Sequence, residues 1–168
     1  MQPIPRLTAR IILVDAEDRL LLLQGYGSGE RQHRLEWTTP GGRVGEGESL
    51  TQTASRELRE ETGLLVPPAD LGPVVAVSSG TWRRDGTTVL GIDTFFYARF
   101  YARMGETTVK TSGRDEFEQS LIVAHHWWSI PELRCSNERV FPSGLAGLVA
   151  QLIGGNIPAT PVALSSPW

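Results

Sequence analysis

Three glutamates fall within five residues of the stretch RELREETGL, residues 56–64. On a helix, Glu57, Glu60 and Glu61 stand at positions i, i+3 and i+4, where like charges repel one another. Carboxylates that share a partly enclosed site must be protonated or paired, and a divalent cation is one way to pair them. Oxygen-only ligands suit hard ions such as Mg²⁺ or Mn²⁺. The alternative is an ordinary charged surface, with the three acids pointing into water.

The phase of the helix distinguishes these two interpretations, because each residue turns the chain by about 100°. Relative to Glu57, Glu60 is rotated by about −60° and Glu61 by about +40°. The apolar residues on the same half of the helix are Leu50, Ala54 and Leu58. The polar residues nearer the opposite half are Gln52, Ser55, Arg56 and Arg59. A solvated charge run lies opposite the apolar stripe, so the phase argues against an ordinary charged surface and leaves a divalent cation as one way to pair the acids. Since Mg²⁺ also takes phosphate oxygens, it further suggests a phosphate-bearing substrate.

A glycine-rich bend precedes this helix in the stretch TTPGGRV, residues 38–44. Gly41 and Gly42 have no side chains, so a ligand or a metal can approach the main chain closely there. The N-terminus of the helix offers unpaired N–H groups to an anion. Taken alone, the bend favours a plain tight turn over a ligand site.

The composition of the 168-residue chain sets limits on the class of protein. It is 40% hydrophobic and 21% charged, which is ordinary for a globular protein, and its net charge is −3. This charge argues against a broad basic surface for a nucleic-acid polymer. Cys135 is the one cysteine, so neither an internal disulfide nor a thiolate zinc site can form. The N-terminal stretch lacks a long apolar run, and we expect a cytoplasmic protein with no membrane partner.

Two helices and several strands must position the acids. Ser49 is a good helix N-cap, Gln52 completes a capping box, and Gly63 is a ready stop. The predicted helices cover residues 49–62 and 143–155. The predicted strands cover residues 9–14, 20–23, 74–77, 89–99 and 120–129, with a short strand leading into the glycine bend. A turn is predicted at residues 83–86, and the tail from Asn156 is either an extended edge or loose. We expect one α/β domain over residues 1–168.

The constrained positions from Gly42 to Leu64 together resemble the Nudix box. The matching residues are Gly42, Glu48, Arg56, Glu57, Leu58, Glu60, Glu61, Gly63 and Leu64. The resemblance implies an α/β/α sandwich with a mixed β-sheet. It also implies that Glu57, Glu60 and Glu61 hold Mg²⁺ or Mn²⁺, with the Gly41 carbonyl as a further ligand. Arg56, together with Glu48, would orient a glutamate through a charge-assisted bond.

The activity implied by this resemblance is metal-dependent cleavage of a diphosphate linkage in a nucleoside diphosphate derivative. ADP-ribose, a nucleotide sugar, a dinucleoside polyphosphate and a nucleoside triphosphate all remain open as substrates. Two alternatives are a non-catalytic nucleotide sensor on the same fold and an enzyme similar to isopentenyl-diphosphate isomerase. Sensors usually lose the box carboxylates, whereas all are present here. Cys135 lies too late in the chain to supply the thiol of the isomerase.

Residues outside the box complete the predicted site. Related proteins often use one further acid from a later segment, and of Asp115, Glu116 and Glu118 we choose Glu118, the nearest to the following strand. Among residues for the substrate, Arg34 and Arg83 are predicted to meet phosphates. Trp37 is predicted to stack on a nucleobase, with packing in the core as its alternative, and Tyr26 and Trp82 are further stacking candidates. A homodimer is one possible assembly.

Overall fold

In the computed structural model, which describes residues 2–27, 34–84, 86–101, 108–114 and 121–165, nine strands form one mixed sheet. The strands are β1 (Ile4–Asp15), β2 (Leu20–Tyr26), β3 (Leu35–Thr38), β4 (Gly41–Arg43), β5 (Val74–Arg84), β6 (Thr87–Phe100), β7 (Ile122–Trp128), β8 (Val140–Phe141) and β9 (Val162–Ala163). The helices are α1 (Leu50–Thr62), α2 (Ile130–Cys135) and α3 (Leu145–Ile153), with a 3₁₀ turn at Pro68–Asp70. None of these helices is long and apolar enough to cross a bilayer.

The strands run in the order β8-β3-β2-β1-β6-β5-β9, with β4 paired to β1 and β7 paired to β2. β1 and β6 are parallel over their length, whereas β5 and β6 form an antiparallel hairpin. β9, from the C-terminal tail, pairs in parallel with β5. The pairing is therefore mixed, as the resemblance implied.

Strand β1 feeds a hydrophobic core on each face of the sheet, because successive side chains of a strand point in opposite directions. Ile11 and Leu13 belong to the core that α1 covers. Ile12 and Val14 belong to the core that α2 and α3 cover. The α/β/α sandwich is thus confirmed, with the acid-bearing helix on one face.

The ends of α1 form as predicted. The Ser49 side chain accepts a hydrogen bond from the Gln52 N–H, and the Gln52 side chain accepts one from the Ser49 N–H. Gly63 ends the helix in a left-handed conformation, with φ 73°, and its N–H donates to the Arg59 carbonyl. These two caps set where the helix begins and ends, and so where its acids lie.

Other boundaries differ from the prediction. The strand predicted at 74–77 continues to Arg84, so Trp82 lies in a strand rather than a loop. The last helix is shorter than predicted, Leu145–Ile153 instead of 143–155. The helix α2 was missed, although its signals are present. The Ser129 side chain caps the N–H of Glu132 in a capping box, and Pro131 falls in the first turn.

The sheet opens beside β1, which changes its neighbour along its length. Near its C-terminal end β1 pairs with β2, through Val14 and Leu20. At residues 8–10 it pairs instead with β4, where Arg10 lies opposite Gly41. A cavity of about 240 Å³ lies in this opening.

Candidate active site

The acidic face of α1 lies largely inside the protein. Glu57 and Glu61 are only 8% and 9% exposed, and the Glu60 side chain is 33% exposed. Arg59, on the opposite side of the helix, is exposed. The phase prediction is therefore confirmed: the acids share the side of the helix that faces the protein.

The carboxylates of Glu57 and Glu61 lie against two adjacent glycines. The Gly41 N–H donates to Glu61 Oε2 at 2.9 Å. A Cβ atom at Gly42 would lie 2.5 and 2.6 Å from the two carboxylate oxygens of Glu57. A Cβ atom at Gly41 would lie 2.6 Å from the Arg10 Cα, and its φ of +144° suits glycine. The bend is therefore more than a tight turn, because it admits two acids side by side.

Arg56 forms hydrogen bonds to three acids of the site. Its Nε and Nη2 donate to the two oxygens of Glu48 at 2.7 and 2.9 Å. Its Nη1 donates to Glu57 Oε1 at 2.8 Å and to Glu60 Oε2 at 2.9 Å. Although the helical phase puts Arg56 nearer the polar half, its long side chain reaches around to the acids. One guanidinium thus holds three carboxylates in place.

The charges of this cluster stabilise one another. Hydrogen bonds from Arg56 and Thr53 lower the pKa of Glu48 to about 2, with a smaller contribution from the Gly45 N–H. The hydrogen bond to Glu48 raises the pKa of Arg56 further above its usual value, although burial acts against it. Glu48 is therefore ionised at neutral pH, and it accepts two charge-assisted hydrogen bonds from the Arg56 guanidinium.

The donor set suits a hard divalent cation, since the acidic face offers oxygen atoms only. Glu57 and Glu60 each place an oxygen within 2.9 Å of the same Arg56 nitrogen, so their carboxylates converge. Within the described parts of the chain, no three acidic, histidine or cysteine side chains form a ready-made metal cluster. Arg56 supplies the positive charge that the acids share in this arrangement.

The cavity in the sheet opening adjoins this face, because Gly41 and Glu61 line it. Besides Tyr26, its other polar lining residues are Arg10, Glu36, Thr38, Ser78 and Asp93. The sequence-based prediction missed them, since each comes from a strand and only the strand register brings them together. One usable signal was present. The run ARIILV places Arg10 on the same face of β1 as the core residues Ile12 and Val14.

The residues predicted to bind substrate lie in different places. Arg34 is exposed and next to the cavity, since its carbonyl accepts the N–H of Gly27, a lining residue. Trp37 is 7% exposed, packs edge-on against Trp128 and belongs to the core, which is the packing alternative. Arg83 lies near the far end of β5, outside the cavity lining. Tyr26 does line the cavity.

The predicted further acid, Glu118, lies outside the described residues, as do Asp115 and Glu116. The described residues on either side are close to the site. Arg114 is buried and its Nε donates to the Glu61 carbonyl at 2.8 Å. Leu121 lines the cavity.

Residues 4–150 of the chain match the sequence model of the NUDIX domain. A 60-residue stretch is 33% identical to the 8-oxo-dGDP phosphatase NUDT18 of Mus musculus, covering 36% of this chain and 18% of that protein. The match thus spans less than a fifth of the length of that relative.

Solved structures share the fold over most of the chain. A MutT protein from Methanosarcina mazei Go1 superposes with a TM-score of 0.62 at 16% identity, covering 94% of this chain and 99% of that one. The NUDIX domain of Shewanella oneidensis NrtR, solved with ADP ribose, gives a TM-score of 0.63 at 17% identity, covering 91% and 90%.

Proposed function

The chain belongs to the Nudix family of hydrolases, which act on diphosphate bonds, and we propose that it is a Mg²⁺- or Mn²⁺-dependent pyrophosphohydrolase. Family members generally use divalent metals. In this chain, Glu57, Glu60 and Glu61 would hold the metal, with the Gly41 carbonyl as a further ligand. The bound metal would neutralise phosphate charge and activate the attacking water.

One observation carries this proposal: two nearly buried carboxylates lie against adjacent glycines, and one of these acids, Glu61, lines a cavity. Glu61 accepts the Gly41 N–H, and Glu57 fills the space beside Gly42. Clustered buried carboxylates are costly unless a positive charge accompanies them. A structural role would need only pairing, which Arg56 provides for Glu57. Glu61 and Gly41 line the cavity, which supports a role in binding a ligand.

The substrate that we propose is a nucleoside diphosphate derivative. A cavity of about 240 Å³ lies below the range of about 300–1,000 Å³ that is typical for whole small-molecule sites. It accommodates part of such a substrate, and the remainder would extend past Tyr26 and Arg34. Two of the named proteins, an 8-oxo-dGDP phosphatase and a domain solved with ADP ribose, support a nucleotide substrate without selecting one.

The two alternative functions find less support. A non-catalytic sensor needs no intact set of carboxylates, whereas the box retains all of them. Cys135, the thiol that an isomerase-like reaction would need, is exposed at the end of α2 and does not line the cavity. Glu118 as the further acid, a homodimer and a cytoplasmic location all stay predictions.

The test is a panel of nucleotides incubated with Mg²⁺, coupled to a phosphatase that releases phosphate from the products. We expect hydrolysis of at least one diphosphate substrate and its loss in chelator. Glu61→Gln should lower turnover by orders of magnitude, because it removes a ligand charge and keeps the size of the side chain. Arg59→Gln, on the exposed side of the same helix, is the matched control and should keep full turnover. Equal turnover in wild type and Glu61→Gln would reject the proposal.

A further inference from the structure

Three neighbouring strands each carry a polar residue on the face that otherwise packs into the core. We call these three cavity-lining residues, Arg10, Asp93 and Ser78, the polar floor. On β1, Arg10 shares a face with the core residue Ile12. On β6, Asp93 precedes the core residue Phe95 by two positions and so shares its face. On β5, Ser78 pairs with Asp93 in the register. Polar groups on the core-facing side of a strand are costly unless they are satisfied or serve a site.

Arg10 is held rigidly within this floor. Its Nε donates to Asp93 Oδ1 at 3.2 Å, and its Nη1 donates to the Thr39 carbonyl at 3.0 Å. Asp93 is itself fixed by hydrogen bonds from the Thr8 hydroxyl and, at 3.3 Å, from Ser78 Oγ. Two of the three guanidinium nitrogens are therefore occupied. The third, Nη2, donates to no acceptor among the residues that the structure describes.

Arg10 also lies next to the acidic site. It is the register partner of Gly41, and a Cβ atom at Gly41 would come within 2.8 Å of the Arg10 Cγ. The Gly41 N–H is the group that binds Glu61 Oε2. Arg10, Gly41 and Glu61 line the same cavity. A diphosphate with one phosphate at Glu61 would therefore bring its second phosphate to the Arg10 side of Gly41.

We propose that Arg10 Nη2 binds a phosphate oxygen of the substrate diphosphate, and that Asp93 is a positioning residue that orients the guanidinium for this bond. This rests on the proposed function, since it takes the Glu61 side to be the metal side. Because Asp93 offsets the charge of Arg10, the guanidinium contributes a directed hydrogen bond more than a net positive charge. A lysine could not occupy both acceptors and present a third donor in a fixed plane.

The alternative is that the ion pair of Arg10 and Asp93 only stabilises the sheet. The chain contains another ion pair that allows this comparison. Arg19 donates to Asp15 Oδ2 at 2.8 Å at the β1–β2 turn, where Asp15 is fully buried. Neither residue of that pair lines the cavity. Arg19→Gln is thus a matched control for Arg10→Gln, because each variant removes the arginine of one arginine–aspartate pair. The aspartate left behind is Asp15 on β1 in the control and Asp93 on β6 in the test variant.

The experiment measures binding of two uncleavable probes in Mg²⁺ by calorimetry: methylenediphosphonate, which has no nucleoside, and a nucleoside α,β-methylene diphosphate. Arg10→Gln should weaken both by about 10-fold or more, as expected for loss of a hydrogen bond to a charged group. Arg10→Lys should not restore the affinity, and Arg19→Gln should bind like wild type. Weakening of the nucleoside probe alone would place Arg10 at the nucleoside and overturn the proposal. So would unchanged binding of both probes, or no binding of methylenediphosphonate by wild type.

The role of Asp93 has its own readout, because it acts through Arg10. Asp93→Asn should weaken binding in the presence of Arg10 and add nothing in the Arg10→Gln background. Additive effects would show that Asp93 does not act through Arg10. The two proposals fail in different experiments. If the proposed function is wrong, Glu61→Gln keeps wild-type turnover, whatever effect Arg10→Gln has on probe binding.

Discussion

The carboxylate of Glu57 occupies the space that a side chain at Gly42 would need, with its oxygens 2.5 and 2.6 Å from that Cβ position. Gly42→Ala should therefore push Glu57 out of the site. We expect turnover to fall by about 100-fold, the effect of a displacement of about 1 Å at a reacting centre. The measurement is Mg²⁺-dependent hydrolysis of the best substrate in the nucleotide panel.

The control for this variant is Gly147→Ala. Gly147 is exposed within α3, and a Cβ atom there meets nothing within 4 Å. Replacing it should leave turnover unchanged and stabilise the protein by about 0.5–1 kcal/mol, because alanine is the better helix former. Equal turnover in Gly42→Ala and Gly147→Ala would show that turnover does not depend on the position of the Glu57 carboxylate.

The lowered pKa of Glu48 predicts a dependence of stability on pH. Its folded-state pKa of about 2 lies below the ordinary value of 4.5, so its contribution is present above the latter and is lost as pH falls toward 2. Glu48→Gln lacks this ionisation. The difference in Tm between wild type and Glu48→Gln should narrow steadily from pH 5 to pH 2. A difference that stays constant over this range would mean that Arg56 and Thr53 do not lower the pKa of Glu48.

The three-way contact of Arg56 predicts that its charge alone is insufficient. Arg56→Lys keeps the charge but cannot reach Glu48, Glu57 and Glu60 together, because an ammonium is a point donor on a flexible stem. We expect a loss of about 1–3 kcal/mol in unfolding free energy, discounted toward the lower figure because the side chain is partly exposed. Chemical denaturation measures this loss. Wild-type stability in Arg56→Lys would refute the bridging role.

The predicted further acid can be identified by a set of neutral isosteres. If Glu118 joins the site, Glu118→Gln should lower turnover by about 100-fold or more, within the range for loss of a general base or metal ligand. Asp115→Asn and Glu116→Gln should retain turnover within about threefold of wild type, since solvated acids contribute little. Loss of turnover in either of these two variants, with Glu118→Gln unaffected, would move the role to that residue.

The box and its helix were predictable from sequence because their signals are local. Ser49, Gln52 and Gly63 act within one turn of α1, and the phase of the helix alone directed Glu57 and Glu61 inward. The polar floor was not predictable, since Arg10 and Asp93 are far apart in sequence and meet only through the parallel β1–β6 register. A single sequence does not specify which strands pair.

Side-chain length and packing explain the other differences. Arg56 reaches acids that the helical phase assigns to another side, because a phase describes where Cβ points and not where a long side chain ends. Trp37 combines a large apolar ring with one polar N–H. The structure buries the ring against Trp128 and satisfies the N–H with Glu138 Oε2 at 3.1 Å.

Arg114 ties both flanks of residues 115–120 to the scaffold, through the Glu61 carbonyl at 2.8 Å and the Ile122 carbonyl at 3.5 Å. The positions at which that segment leaves and rejoins the scaffold are thus independent of its own sequence. Doubling the length of such a connection costs only about 0.6 kcal/mol in closure entropy. The two described ends of this connection, Arg114 beside Glu61 and Leu121 at the cavity, therefore stay anchored while the sequence between them is free to diverge, and the acidic helix stays untouched.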